Sequence, residues 1–163
     1  MLSKKMLAEL NKQVGEELGS AYIYLSMSMW FETKNLRGMA GWMKKQFEEE
    51  VEHAEKFMDY INTRFGAVKL EAIGAPKHEW KSPLDAFETA YKHECHISAC
   101  IHKLVDLARA EGDKATENFL QWFVEEQVEE EENTMNAVEM LKMAGDHVPA
   151  LMMLDQIFGK RED

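Results

Sequence analysis

Apolar residues recur at three- and four-residue intervals through four long segments of this chain, roughly 4–33, 38–65, 83–111 and 114–144. That period belongs to amphipathic helices. The first stripe runs Leu10, Val14, Glu17, Ala21, Tyr24, and the second Met39, Met43, Gln46, Glu50, His53, Phe57. The third runs Leu84, Phe87, Tyr91, Glu94, Ser98, Ile101, Val105, and the fourth Leu120, Phe123, Gln127, Glu130, Thr134, Ala137, Leu141. Each is interrupted by a carboxylate or amide near its midpoint: Glu17, Glu50, Glu94 and Gln127/Glu130. Helices packed side by side bring their midpoints to one level. Several buried carboxylates there would repel one another and lose hydration worth several kcal/mol each. A bound cation relieves both costs, so the pattern predicts a metal site inside a four-helix bundle.

The breaks between segments set the topology. Ser3 is placed to cap the first helix. The short connection Lys34-Asn35-Leu36-Arg37-Gly38 makes the second helix an antiparallel neighbour. Gly66 suits the end of that helix, and Pro83 the first turn of the third. Between them, Ala67 to Ser82 carries Gly74 and Pro76. About 16 residues reach roughly 53 Å when extended, whereas a helix of about 28 residues is about 42 Å long. The linker can therefore run the length of the bundle and leave helices two and three parallel. Gly112-Asp113 makes a tight link to helix four. After Gly145 comes a short apolar helix over 149–158, with Leu151, Met152, Met153, Leu154, Ile157 and Phe158. It is too short to be stable alone. Its apolar residues point several ways, which favours contact with several neighbours over folding back on its own bundle. The expected architecture is all-α: one domain over 1–163, a four-helix bundle with a long crossover and a short C-terminal fifth helix.

Composition narrows the partners. With 45% hydrophobic and 30% charged residues, and only 9 glycines and 3 prolines, the chain suits long helices around an ample core. A net charge of −11 repels nucleic acid and attracts cations. The apolar runs fall short of a membrane span or a signal peptide. Cys95 and Cys100 form no CxxC pair, so neither a disulfide framework nor a zinc ribbon is expected, and the reading is a reducing cytoplasm.

Glu50-x-x-His53 sets a carboxylate and an imidazole one turn apart on one face. Glu17 can complete that site. Glu94 can bridge or hold a second ion, and Gln127 with Glu130 offers oxygen ligands from helix four. A carboxylate and imidazole set without thiolate suits iron, manganese or zinc. Most of the glutamates in the runs around 48–52 and 125–132 read as solvated faces, but Glu49, Glu126 and Glu129 flank the stripe and with Glu130 can form a weaker cation site. Tyr24 and Trp122 are expected in the core, with a redox or hydrogen-bonding role as the alternative. His93, Cys95, His96 and Cys100 resemble a soft-metal patch at i, i+3 and i+4 spacings, placed on a bundle flank or subunit contact.

These residues, with four helices, crossover and short fifth helix, resemble the ferritins, specifically the bacterial haem-free group. The resemblance implies a di-iron ferroxidase centre that oxidises Fe(II) with dioxygen or hydrogen peroxide. One iron would be held by Glu17, Glu50 and His53. The other would be held by Glu50 as bridge, Glu94 and, in some states, Glu130, with Gln127 close by and Tyr24 alongside. A third iron site would use Glu49, Glu126, Glu129 and Glu130. It also implies a cage of twenty-four subunits storing ferric mineral. Where related di-iron proteins repeat Glu-x-x-His on the fourth helix, this chain has Gln127-Val128-Glu129-Glu130, so the second iron lacks an imidazole and is held loosely. Val51 stands where haem-binding relatives place a methionine, so no haem is expected. The competing reading is a di-metal oxidase or catalase, of iron or manganese, without storage.

Overall fold

The structure, a computed structural model, describes residues 1–161; the last two positions of the expected 1–163 domain lie outside the described residues. The helices are α1 (Lys4–Thr33), α2 (Arg37–Thr63), α3 (Pro83–Glu111), α4 (Lys114–Ala144) and α5 (Val148–Phe158). The fold is all-α, and no helix among the described residues is long and apolar enough to cross a membrane.

Helix starts follow local chemistry. Ser3, Ser82 and Asp113 each accept a hydrogen bond from the backbone N–H three residues on, at Met6, Asp85 and Thr116. Each satisfies a donor that the first helical turn leaves unpaired. Gly112 ends α3 with φ of 66°, a left-handed conformation that costs glycine little. α2 departs from expectation at both ends. It begins one residue early, at Arg37, and stops at Thr63 rather than 65. Phe65, not Gly66, takes the positive φ of 60°, and the Gly66 N–H closes on the Ile61 carbonyl at 2.8 Å.

Cross-links between helices fix their directions. Ser3 Oγ donates to Glu111 at 2.7 Å, and Tyr24 donates to Glu94, so α1 and α3 are antiparallel. Gln46 meets Glu130 and Tyr60 meets Thr116, so α2 and α4 are antiparallel too. Since the short turn after Thr33 also reverses α2 against α1, α2 and α3 run parallel. The crossover travels along α1. Asn11 donates to the Ala67 carbonyl and accepts from the Lys69 N–H. Ser26 donates to Lys77 O at 2.7 Å, and Trp80 packs edge-on against Trp30.

The core divides into two apolar clusters at opposite ends of the bundle. One centres on Tyr24, Phe31, Met39, Met43, Phe87 and Leu141. The other centres on Met6, Leu10, Phe57, Ile101, Leu120 and Phe123. Each large side chain buried this way contributes about 1.5–3 kcal/mol. Leu84 and Tyr91, expected on the third stripe, are only partly buried, and Ala86, Ala90 and Ile97 take the interior instead.

α5 folds back across the ends of α2 and α4. Phe158 is buried against Phe87, ring centres 5.2 Å apart. This corrects the expectation that the tail is held by neighbouring copies rather than by its own bundle. The correction covers one face only: Val148, Met152 and Met153 remain more than 60% exposed. Asp155 of α5 accepts from the Met39 N–H at 2.8 Å, capping α2, whose own N-cap residue Leu36 offers no side-chain bond. The approach is so close that a Cβ on Gly38 would stand 1.7 Å from the Asp155 carbonyl oxygen.

Candidate metal centre

Between the two apolar clusters lies a polar layer. Glu17, Glu50, Glu94 and Glu130 are each at most 3% exposed, and His53, Gln127 and Tyr24 are buried with them. They come from the midpoints of α1 to α4, where the apolar period demands an inward residue and the sequence supplies an acid. The backbones of α2 and α4 stand more than 8 Å apart throughout. Only side chains bridge that gap.

The layer is partly self-satisfied. Gln13 Nε2 donates to Glu17 Oε1 at 2.8 Å. Gln46 Nε2 donates to Glu130 Oε2 at 2.8 Å. Tyr24 donates to Glu94 Oε1, and Gln127 Nε2 donates to Glu94 Oε2 at 3.2 Å. Two oxygens are left over: Glu17 Oε2 and Glu50 Oε2 are buried without a hydrogen-bond partner. His53 Nδ1 lies 3.3 Å from Glu50 Oε2, close enough for attraction but not in hydrogen-bond geometry. Glu17 and Glu50 also face each other, and two carboxylates can bond only through a shared proton or cation. Leaving such acceptors buried and unpaired costs about 1–3 kcal/mol each, more when they are charged.

Protonation equilibria register the same stress. Burial pushes Glu17 up to about 7, against contacts with Glu50 and Gln13 that pull it down. Burial, then repulsion from Glu94 and Glu17, holds Glu50 well above the usual carboxylate range. Burial and Glu94 do the same to Glu130. Burial raises Glu94 as well, offset by the bonds from Tyr24 and Gln127. His53 is pushed down to about 4 by burial and by Lys56. Near neutral pH the imidazole is therefore uncharged and has a lone pair to offer.

Two three-residue groups have ligand atoms within 4.8 Å of one another at this level: Glu17, Glu50 and His53, and His53, Glu126 and Glu130. The first matches the residues expected for one iron. The second differs from expectation, because His53 Nε2 turns toward α4, 3.7 Å from Glu126. The helix-four carboxylates thus have an imidazole nearby after all, shared from α2. Glu94 falls in neither group, and its two oxygens are engaged by Tyr24 and Gln127 instead.

The flanking acids diverge. Glu126 lies beside His53 in a groove also lined by Glu48, Glu49, Glu52, Lys56 and Trp122. Glu49 takes two bonds from Arg161 at 3.0 and 3.1 Å, and the same guanidinium donates to Gln46. Glu129 lines a neighbouring cavity with Glu49 and Arg161. Trp122, expected in the core, is 38% exposed. Its ring lies 5.5 Å from that of His53, with the Lys56 ammonium 4.3 Å above it. Gln13, Gln46 and Arg161 had not been assigned to the site. Gln13 and Gln46 each sit one turn before a buried glutamate, which is a usable signal. Arg161 follows the last helix and carries none.

A family model for the ferritin-like domain matches residues 7–144. The chain belongs to the ferritin family. It is 43% identical to a bacterial non-heme ferritin of Bacteroides fragilis, over 99% of this chain and 100% of that one. It is 38% identical to a bacterial non-heme ferritin of Campylobacter jejuni, over 96% and 93%. Crystal structures of an open pore ferritin from the archaeon Archaeoglobus fulgidus superpose with a TM-score of 0.98 at 46% identity, covering 99% of this chain and 100% of that one. Ferritin membership carries iron storage with it, and the buried carboxylate and imidazole groups are arranged so that they could hold a metal ion.

Proposed function

We propose that this ferritin oxidises Fe(II) to Fe(III) at a di-iron centre within each subunit and stores the product as mineral inside a hollow cage of twenty-four copies. One ferrous ion binds Glu17, Glu50 and His53. The second binds Glu130, Glu50 and Glu94, the last after Tyr24 or Gln127 releases an oxygen. Two ferrous ions each give up one electron, and dioxygen takes both with two protons to leave as hydrogen peroxide. Peroxide in turn can serve as oxidant. Glu49, Glu126 and Glu129 mark the path of iron away from the centre. Arg161 stands on that path as a tethered cation.

The observation that supports this reading best is the pair of buried, unpartnered oxygens on Glu17 and Glu50 beside a neutral imidazole. Such a set is stable only with a proton or a cation in it. Carboxylates favour ferric over ferrous iron, so binding there lowers the barrier to oxidation. The exposed apolar face of α5, at Val148, Met152 and Met153, is surface that assembly would cover. Two unpaired cysteines agree with a reducing cytoplasm.

Aerobic ferrous loading with iron counted per chain, together with light scattering, tests the proposal. Oxidation far faster than in buffer, tens of irons per chain or more, and a mass near twenty-four subunits are expected. Two tightly held metals per chain would instead make it a di-metal oxidase or catalase. A monomer or dimer would remove the cage.

A further inference from the structure

We propose a second metal site on the solvent side of α1 and α3, built by Glu16, His96 and Cys100, for a borderline-soft divalent cation of the zinc class. Glu16 is the residue next to Glu17 but points outward, and the site shares no ligand with the carboxylate centre. His96 and Cys100 lie four apart on α3, one turn of helix, so their side chains stack on one face. Glu16 reaches the same spot from α1. His96 Nε2 is 3.0 Å from Glu16 Oε2 and 3.7 Å from Cys100 Sγ. All three ligand atoms lie within 4.8 Å of one another.

The nitrogen–oxygen and nitrogen–sulfur edges are close to the ones a zinc ion imposes. With Zn–N and Zn–O near 2.05 Å, Zn–S near 2.3 Å and tetrahedral angles, nitrogen and oxygen stand about 3.3 Å apart and nitrogen and sulfur about 3.6 Å. Small rotamer changes close the remaining difference. A single N–H on Nε2 can point at the carboxylate or at the sulfur, not at both. An ion seated among the three uses the lone pair of the other tautomer and satisfies both partners. On binding, the Cys100 thiol releases its proton to solvent and the sulfur binds as thiolate. His96 is exposed, which leaves a fourth position for water.

The donor set selects the metal. One thiolate, one imidazole and one carboxylate form a mixed S, N, O set that zinc fills well. The order of divalent affinities favours zinc over ferrous iron at such a site. The neighbouring groups are otherwise engaged: His93 Nε2 is held by Ser20 Oγ at 2.6 Å, and Cys95 faces Tyr91. The site is therefore this triad, not the whole His/Cys patch visible in the sequence.

Cobalt(II) titration of the assembled, iron-free protein tests this, because thiolate-to-cobalt charge transfer reports sulfur ligation alone and is blind to the carboxylate centre. One equivalent per chain of the thiolate band is expected in the wild type and in Cys95→Ser, bleached by stoichiometric zinc. The band should vanish in Cys100→Ser. His96→Ala and Glu16→Gln should weaken binding at least about tenfold while initial ferrous oxidation stays at the wild-type rate. No thiolate band in the wild type, a band that survives Cys100→Ser, or one that zinc does not displace would overturn the proposal. Circular dichroism on each variant separates lost ligation from lost fold.

Discussion

Replacing Glu17 by glutamine should stabilise the metal-free protein while disabling it. The Glu17 carboxyl is raised from 4.5 to about 7, chiefly by burial. At about 1.4 kcal/mol per pH unit, keeping it ionised in the folded state costs about 3 kcal/mol. The sign follows from linkage. An acid whose folded pKa is raised costs the native state nothing below the unfolded value of 4.5. The cost grows as pH climbs toward 7 and is constant above it. Glu17→Gln removes the charge at all pH values. Its amide oxygen still accepts from Gln13, and its new N–H can donate to the orphan oxygen of Glu50. At pH 8.5 the variant should thus exceed wild type by about 3 kcal/mol, or about 6–12 °C in melting temperature for a chain of this size. At pH 4.5 the gain should shrink to a few tenths of a kcal/mol. Calorimetry on iron-free samples at the two pH values measures both. Adding ferrous iron anaerobically should then raise the wild-type melting point more than the variant's. A variant no more stable than wild type at pH 8.5, or equally stabilised at both pH values, would refute the account of a strained, ionised cluster.

Three further outcomes are expected. His53→Ala should slow the initial phase of ferrous oxidation by at least about tenfold, the scale of losing a well-placed group at a metal site; stopped-flow rates equal to wild type would remove His53 from the centre. Glu130→Ala should weaken one of two ferrous equivalents in an anaerobic titration and spare the other, whereas two unchanged sites would count against its ligand role. Gly38→Ala should lower the melting temperature and expose α5 to proteolysis. Alanine normally stabilises a helix by about 0.5–1 kcal/mol over glycine, but here its Cβ would collide with Asp155, an overpacking worth about 1–3 kcal/mol, so a stabilised variant would deny the close approach of α5.

The helices and their order were legible because period and breakers agree. Ser3, Pro83, Gly112 and Asp113 mark boundaries by local chemistry, and the linker length alone permitted the crossover. Glu17, Glu50 and His53 were legible as a group because a charged residue in an apolar stripe is anomalous without any knowledge of its neighbours. What escaped depends on rotation within a helix and on contacts remote in sequence. Trp122 is one position from Phe123 on the stripe, and that step of about 100° carries it to the surface. The turn of His53 Nε2 toward Glu126 is a rotamer, which no spacing encodes. Arg161 reaches Glu49 only because α5 folds back. The exposed half of α5 shows why its all-round apolarity misled: one face serves the chain's own bundle and the other does not.

The short turns of this fold join α1 to α2 and α3 to α4, so the molecule is two helical hairpins tied by the long crossover. The proposed ligands divide along that line. Glu17, Glu50 and His53 all belong to the first hairpin; Glu94, Glu126 and Glu130 belong to the second. A hairpin closes by local contacts and forms quickly, whereas docking the two halves must wait for a long loop to close. An ion on the first group clips together one hairpin. An ion that also engages α4 bridges the seam between α2 and α4, whose backbones stand more than 8 Å apart, at the level where apolar packing is interrupted. Loaded and emptied protein should then differ most in how readily the halves separate, and amide exchange should slow on ferrous binding along α2 and α4 at the level of Glu50 and Glu130 before it slows at either apolar end.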